Sequence, residues 1–378
     1  MEELEFCVGE PPATESESTT AGTSSTEPTR IVRAEGRILL EDEFGGILFE
    51  TTDGQQYIVE PDQIISRREN DRPFHPDSAE EITKKVLAEL PDGFRTLQTP
   101  HYTLIYQTPV EHARWCGGIL EQLYRTFNTF WSVRSVLLTD PEFPLVVVIF
   151  SDRKQYMQKT RDELGEASAS IVSFYSMNTN QIMTFDAAGT QAYADRYGRL
   201  TTKQIAMIPM ADENVRNLVH EATHQLMFNR GLAHRFYDVP RWYAEGMACY
   251  FEVPDPTSAR GWGRLGEPNP IRTRRFAAMI ADGRDGSADV LRSDKAFLMT
   301  DTALDAYAEA YSIFFRITKM QSGELKRYAA TTAGKRDEAS MLADADPETR
   351  LADFEAAFGD IDTFRLATRR YWLRLFTK

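Results

Sequence analysis

The stretch NLVHEATHQLMFNRGL, residues 217–232, holds two of the chain's six histidines, four positions apart, with a glutamate directly after the first. Read as a helix, with Asp212 as N-cap and Gly231 at the C′ position, it sets His220 and His224 on one face, about one turn apart. Both imidazoles can then reach a single metal ion, and Glu221 projects beside the first, placed to take a proton from an activated water. HExxH alone arises by chance in a chain like this on the order of once in a hundred, so a second feature is needed.

That feature follows in DVPRWYAEGMACYFE, residues 238–252. Asp238 is a candidate cap and Pro240 stands near the first helical position, so a second helix is expected. A catalytic zinc takes three protein ligands and keeps one position open. Glu245, 21 positions after His224, is the candidate third donor, and Trp242, Met247, Tyr250 and Phe251 around it carry the apolar character of a packed helix.

HEATH followed by WYAEGMACY resembles the gluzincin metallopeptidases, the superfamily of thermolysin-like enzymes and zinc aminopeptidases. The resemblance spans roughly residues 95–376, with these two motifs its sharp part, and extends to bacterial gluzincin-like domains of unknown function. It implies Zn2+ held by His220, His224 and Glu245, with Glu221 as general base and acid. It also implies an oxyanion-stabilising tyrosine early in a later helix. LDAYAEAYSIFFRITK, residues 304–319, resembles that helix, with Tyr307 in the expected position and Tyr311 one turn on. The family lays substrate backbone along the edge strand before the metal helix, and residues 180–186, NQIMTFD, read either as that strand or as an ordinary internal one.

The pattern also departs from the family. No G-x-M-E-N segment precedes His220, which removes the aminopeptidase signature for a free amine. Thermolysin-like enzymes place an aspartate four residues after the glutamate ligand to orient a histidine. Here that position is Cys249, expected to be a buried small residue, so the orienting group must come from elsewhere. GWGRLG, residues 261–266, satisfies GxGxxG but follows a helix and runs into a proline-containing loop, so it is read as a loop near the cleft and not as a dinucleotide site. His75, His101, His112 and His234 have no ligand spacing, and Glu41, Asp42 and Glu43 read as a solvated turn.

The rest of the chain frames this site. A net charge of −14 argues against nucleic acid, which needs a basic footprint. Three irregularly spaced cysteines do not indicate a disulfide framework, and no CxxC pair offers a thiolate metal site. No apolar run reaches the length of a membrane span. The first ten residues, MEELEFCVGE, have neither a basic nor an apolar signal region, although the family resemblance points to export.

Composition predicts three segments. Residues 1–30, rich in Ser, Thr, Glu and Pro, read as a disordered tail or linker. Residues 31–70, with Gly45-Gly46 and Asp53-Gly54 between β-rich runs, read as a small three- or four-stranded β domain suited to docking a partner. Residues 71–378 alternate strands and helices and then become almost wholly helical. The expected fold class is therefore α+β: a zincin-like metallopeptidase domain, mostly helical in its C-terminal half, preceded by a small all-β domain. The expected function is zinc-dependent hydrolysis of peptide bonds in a peptide or protein substrate; a catalytically weak zincin-fold binding or scaffold protein is the alternative.

Overall fold

The computed structural model describes residues 1–9, 30–253, 265–285 and 289–377. These divide into two compact units, Met1–Val86 with Met177–Asn180, and Leu87–Ser176 with Gln181–Lys378. The fold is α+β, with two five-stranded sheets.

The first unit is an antiparallel sheet of β1 (Glu2–Val8), β2 (Arg30–Glu41), β3 (Ile47–Thr51), β4 (Gln56–Val59) and β5 (Ile64–Glu69), in the order β4-β3-β2-β1-β5. Its core is Leu4, Phe6, Ile47, Phe49 and Val59. Both expected reversals are present, with Gly45 at φ +89° and Gly54 at φ +82°, the positive region that glycine enters freely. One boundary moves. Residues 2–8, assigned from sequence to the tail, form a strand flanked by β2 on one side and β5 on the other. The cause is the period-2 alternation of Glu3-Leu4-Glu5-Phe6, which turns Leu4 and Phe6 inward and leaves them 2% and 0% exposed. The serine- and threonine-rich stretch at 10–29 lies outside the described residues.

Helix α1 (Ala79–Ala88) leads to the second sheet: β6 (Arg95–Gln98), β7 (Tyr102–Tyr106), β8 (Leu145–Phe150), β9 (Ser173–Tyr175) and β10 (Gln181–Phe185). The order is β6-β7-β8-β10-β9, with β7, β8 and β10 parallel and the two outer strands antiparallel to their neighbours. The central strand is buried along its whole length, which is why LVVVIF shows no polar alternation. Helices α2 (Val110–Ser132) and α3 (Arg153–Leu164) fall in the connections between strands. The sheet decides between the two readings of residues 180–186: they contribute an internal strand, paired to β8 and β9, and the edge beside it is β9.

After β10 the chain is helical: α4 (Thr190–Tyr197), α5 (Thr202–Ala206), α6 (Ala211–Asn229), α7 (Arg241–Phe251), α8 (Pro270–Ala281), α9 (Asp289–Arg292), α10 (Lys295–Leu298), α11 (Ala303–Met320), α12 (Ser322–Gly334), α13 (Pro347–Phe358) and α14 (Ile361–Phe376). Among the described residues no helix is long and apolar enough to cross a membrane.

Side-chain amides help tie α6 to the sheet. Gln225 Nε2 donates to the Val146 carbonyl at 3.1 Å, and Asn214 Nδ2 to the Phe185 carbonyl at 3.3 Å. Helix α7 packs on α6 and, more extensively, on α11. A Cβ at Gly246 would stand 2.6 Å from the Ala310 carbonyl oxygen and 3.0 Å from Phe314 Cβ. Only glycine permits the two helices to approach so closely.

Candidate metal centre

Helix α6 presents the two histidines. Its N-cap is Met210, at φ +72°, and Asp212 instead sits in the first turn, paired with Arg216. The other end matches expectation: Gly231 adopts φ +76°, and the Leu232 N–H donates to the Met227 carbonyl at 3.1 Å, closing a Schellman-type stop. The cap of α7 is Pro240, two residues beyond the expected Asp238. Since Pro240 has no side-chain acceptor, Asp294 supplies one from a distance, its Oδ1 accepting the Arg241 N–H at 3.1 Å. Asp238 is engaged elsewhere, by Arg350 and Lys335.

The two helices bring three donor atoms together. His220 Nε2 lies 3.0 Å from Glu245 Oε2, His224 Nε2 lies 3.4 Å from the same oxygen, and the two nitrogens are 3.2 Å apart. Donors around a tetrahedral zinc, with bonds of roughly 2.0–2.1 Å, stand about 3.3 Å from each other. Two imidazole nitrogens and a carboxylate oxygen are also the donor types that zinc accepts. His220, His224 and Glu245 therefore fit such an ion.

What orients His220 was not found from sequence. Glu252, the C-cap of α7, brings Oε1 to 2.7 Å from His220 Nδ1. A carboxylate only accepts, so Nδ1 donates to Glu252, and Nε2, which faces Glu245 and His224, is the nitrogen left to bind a cation in place of a proton. Glu252 is itself fixed, by Arg272 (Nη2 to Oε1, 2.9 Å) and by Asn269 (Nδ2 to Oε2, 3.1 Å). The signal was in the sequence: Glu252 is seven positions after Glu245, two turns along the same helix face. Cys249, between them, is fully buried and lies within 4.8 Å of the His220 and Glu252 ligand atoms.

The electrostatics follow from burial set against these partners. Burial raises the Glu245 carboxyl, but His224 and His220 outweigh it and hold the group well below its ordinary value. Glu252 is likewise raised by burial and brought down further by Arg272 and His220. Glu221 goes the other way. Its burial prevails over the attraction of the two histidines, so its carboxyl is raised above the usual range. Oε2 of Glu221 accepts the Tyr175 N–H at 2.8 Å, which ties the end of the edge strand β9 to the residue between the histidines.

The two tyrosines of α11 separate. The Tyr307 ring lies 6.3 Å from the His220 ring, with the Arg272 guanidinium 5.2 Å from its centroid. The Glu245 carboxylate, then burial, raises its phenol, so it stays protonated and able to donate. Tyr311 has another duty, its hydroxyl accepting the Asn269 N–H at 2.7 Å. Of the remaining histidines, His101 binds Glu121, His112 meets Thr108, and His234 accepts from Arg336. Residues 261–264 of GWGRLG lie outside the described residues.

Comparison with known families matches residues 214–337 to one described as "Protein of unknown function (DUF1570)". The match takes in both motifs and both tyrosines and assigns no activity. No curated protein matches the chain.

Proposed function

We propose that the chain is a zinc metallopeptidase of gluzincin type, with a zincin-like catalytic domain. The observation that carries this reading is the convergence of His220 Nε2, His224 Nε2 and Glu245 Oε2 within 3.4 Å of one another. With the His220 Nδ1 proton committed to Glu252, two imidazole nitrogens and a carboxylate oxygen converge on one point, a donor set suited to a cation.

Zinc bound there would lower the pKa of water toward neutrality and polarise a peptide carbonyl. The chain's own groups supply the rest. Glu221, raised by burial yet beside the ligands, suits a group that takes a proton from water and returns it to the leaving amine. Tyr307 would donate its O–H to the developing oxyanion, and Glu252 and Arg272 keep His220 in the tautomer a metal needs. No nucleophilic side chain is required.

The test begins with metal content. Purified without chelator, the protein should carry about one zinc per chain by mass spectrometry, and His220→Ala should lose it. Glu221→Gln should keep the zinc and lose hydrolysis of a peptide library. Zinc retained by both proteins with no cleavage by the wild type would favour the binding or scaffold reading; no zinc even after adding it back would end the metallopeptidase reading.

A further inference from the structure

One cation at this site is left without a matched partner. Arg241 opens α7, one turn before Glu245, and its backbone N–H is held by Asp294. Its guanidinium reaches Glu245 Oε1 only at 3.7 Å, too long for a hydrogen bond, and the side chain is 39% exposed. Among the described residues that guanidinium makes no hydrogen bond. The neighbouring arginines differ. Arg272 is spent on Glu252, Arg275 and Arg284 on Asp305, and Arg350 on Asp238 and Asp294. Arg241 thus offers a planar fork of N–H donors at the rim of the site. It stands beside the Glu245 oxygen opposite the one that faces the histidines, and near enough to Tyr307 to act on its phenol.

In a chain of net charge −14 an acidic ligand is repelled at long range, so a cation with unused donors matters locally. A guanidinium fork matches a carboxylate in shape and makes two parallel hydrogen bonds to it. We propose that Arg241 binds a carboxylate of the substrate within one or two residues of the scissile bond, making the substrates peptides that carry negative charge there. The carboxylate has two sources, an acidic side chain or a free C-terminus. This rests on the peptidase reading for its chemistry, although the carboxylate site can be tested apart from it.

The experiment uses the zinc-loaded full chain and three matched peptide pools, all N-acetylated: neutral and C-amidated; the same with internal Asp or Glu; and neutral with a free C-terminal carboxylate. Two charge-assisted bonds support a preference of roughly tenfold to a hundredfold in kcat/KM for one charged pool over the neutral one. Which charged pool is preferred identifies the source. Arg241→Gln should abolish the preference by raising KM on the charged pool more than on the neutral pool, and Arg241→Lys should restore part of it.

Equal rates on all pools would overturn the proposal, as would an Arg241→Gln protein that loses kcat equally on every pool, since Arg241 would then act through Glu245 or Tyr307. Binding of fluorescently labelled pools to Glu221→Gln protein, with and without Arg241→Gln, separates the two readings. An Arg241-dependent preference in binding without any wild-type hydrolysis keeps the carboxylate site and discards the peptidase. Hydrolysis without preference does the reverse.

Discussion

Glu252 shows how much one side chain outside the donor set can decide. Its carboxylate accepts from His220 Nδ1 and is gripped in turn by Arg272 and Asn269. Glu252→Gln keeps the shape and removes the charge, so zinc affinity should fall about 10–100-fold in competition with a chromogenic chelator. The same change leaves the Arg272 guanidinium short of its counter-charge, so the urea midpoint should fall as well. Tyr307→Phe should keep zinc but lower kcat by about a hundredfold or more, the size seen for loss of one oxyanion donor, whereas Tyr311→Phe should leave kcat near wild type because its hydroxyl faces Asn269. At this scale the sequence was informative wherever a residue's role follows from spacing along one helix. His220, Glu221 and His224 are of that kind, and the structure gathers them with Glu245. Asn269 and Arg272 are not: they arrive from α8, and nothing in a linear chain says which of its 33 arginines will meet a given glutamate.

Helices α6, α7 and α11 form a tripod whose geometry depends on one missing methyl group. Gly246→Ala puts a Cβ against the Ala310 carbonyl and Phe314, so α7 and α11 must part. We expect a loss of roughly 1–3 kcal/mol in urea unfolding, the usual cost of overpacking, together with reduced hydrolysis because Glu245 and Tyr307 are carried on the two displaced helices. Element existence was legible from periodicity: RKQYMQKTRDEL is a helix over the span read for it, and LVVVIF a buried strand. Element ends and neighbours were not. The cap of α7 is supplied by Asp294, 53 residues beyond Arg241, and β10 lies inside the sheet because β9 precedes it in sequence yet takes the edge. Both outcomes are set by tertiary pairing, which local pattern does not encode.

Across the molecule, the second unit carries a buried histidine outside the candidate donor set. His112 is 2% exposed, and its Nε2 lies 3.9 Å from Asp186 Oδ1. Burial lowers its imidazolium below the ordinary value of about 6.5, with Asp186 opposing. The unfolded chain therefore takes up this proton more readily than the folded one. The stability contributed by the neutral ring is fully present above about pH 6.5 and declines as pH falls below it. Equilibrium denaturation at pH 7.5 and 5.5 should show wild type losing more stability on acidification than His112→Asn. Equal losses would mean that His112 titrates as freely in the folded protein as in the unfolded chain. The α+β class and the helical C-terminal half were readable from composition and period. The strand at residues 2–8 was not, since seven residues beside a serine- and threonine-rich stretch give too short an alternation to stand out.

That strand carries a consequence for assembly of the first sheet. Leu4 and Phe6 sit in its core and β1 pairs on both sides, so the strand made first is joined to β5, which is made last of the five. The sheet cannot close during synthesis until all its strands have emerged. It also follows that the slot between β2 and β5 is a templated vacancy in any chain started at residue 30. A synthetic peptide of residues 1–9 supplied in trans should fill it by complementation, and the same peptide with Phe6→Asp should not.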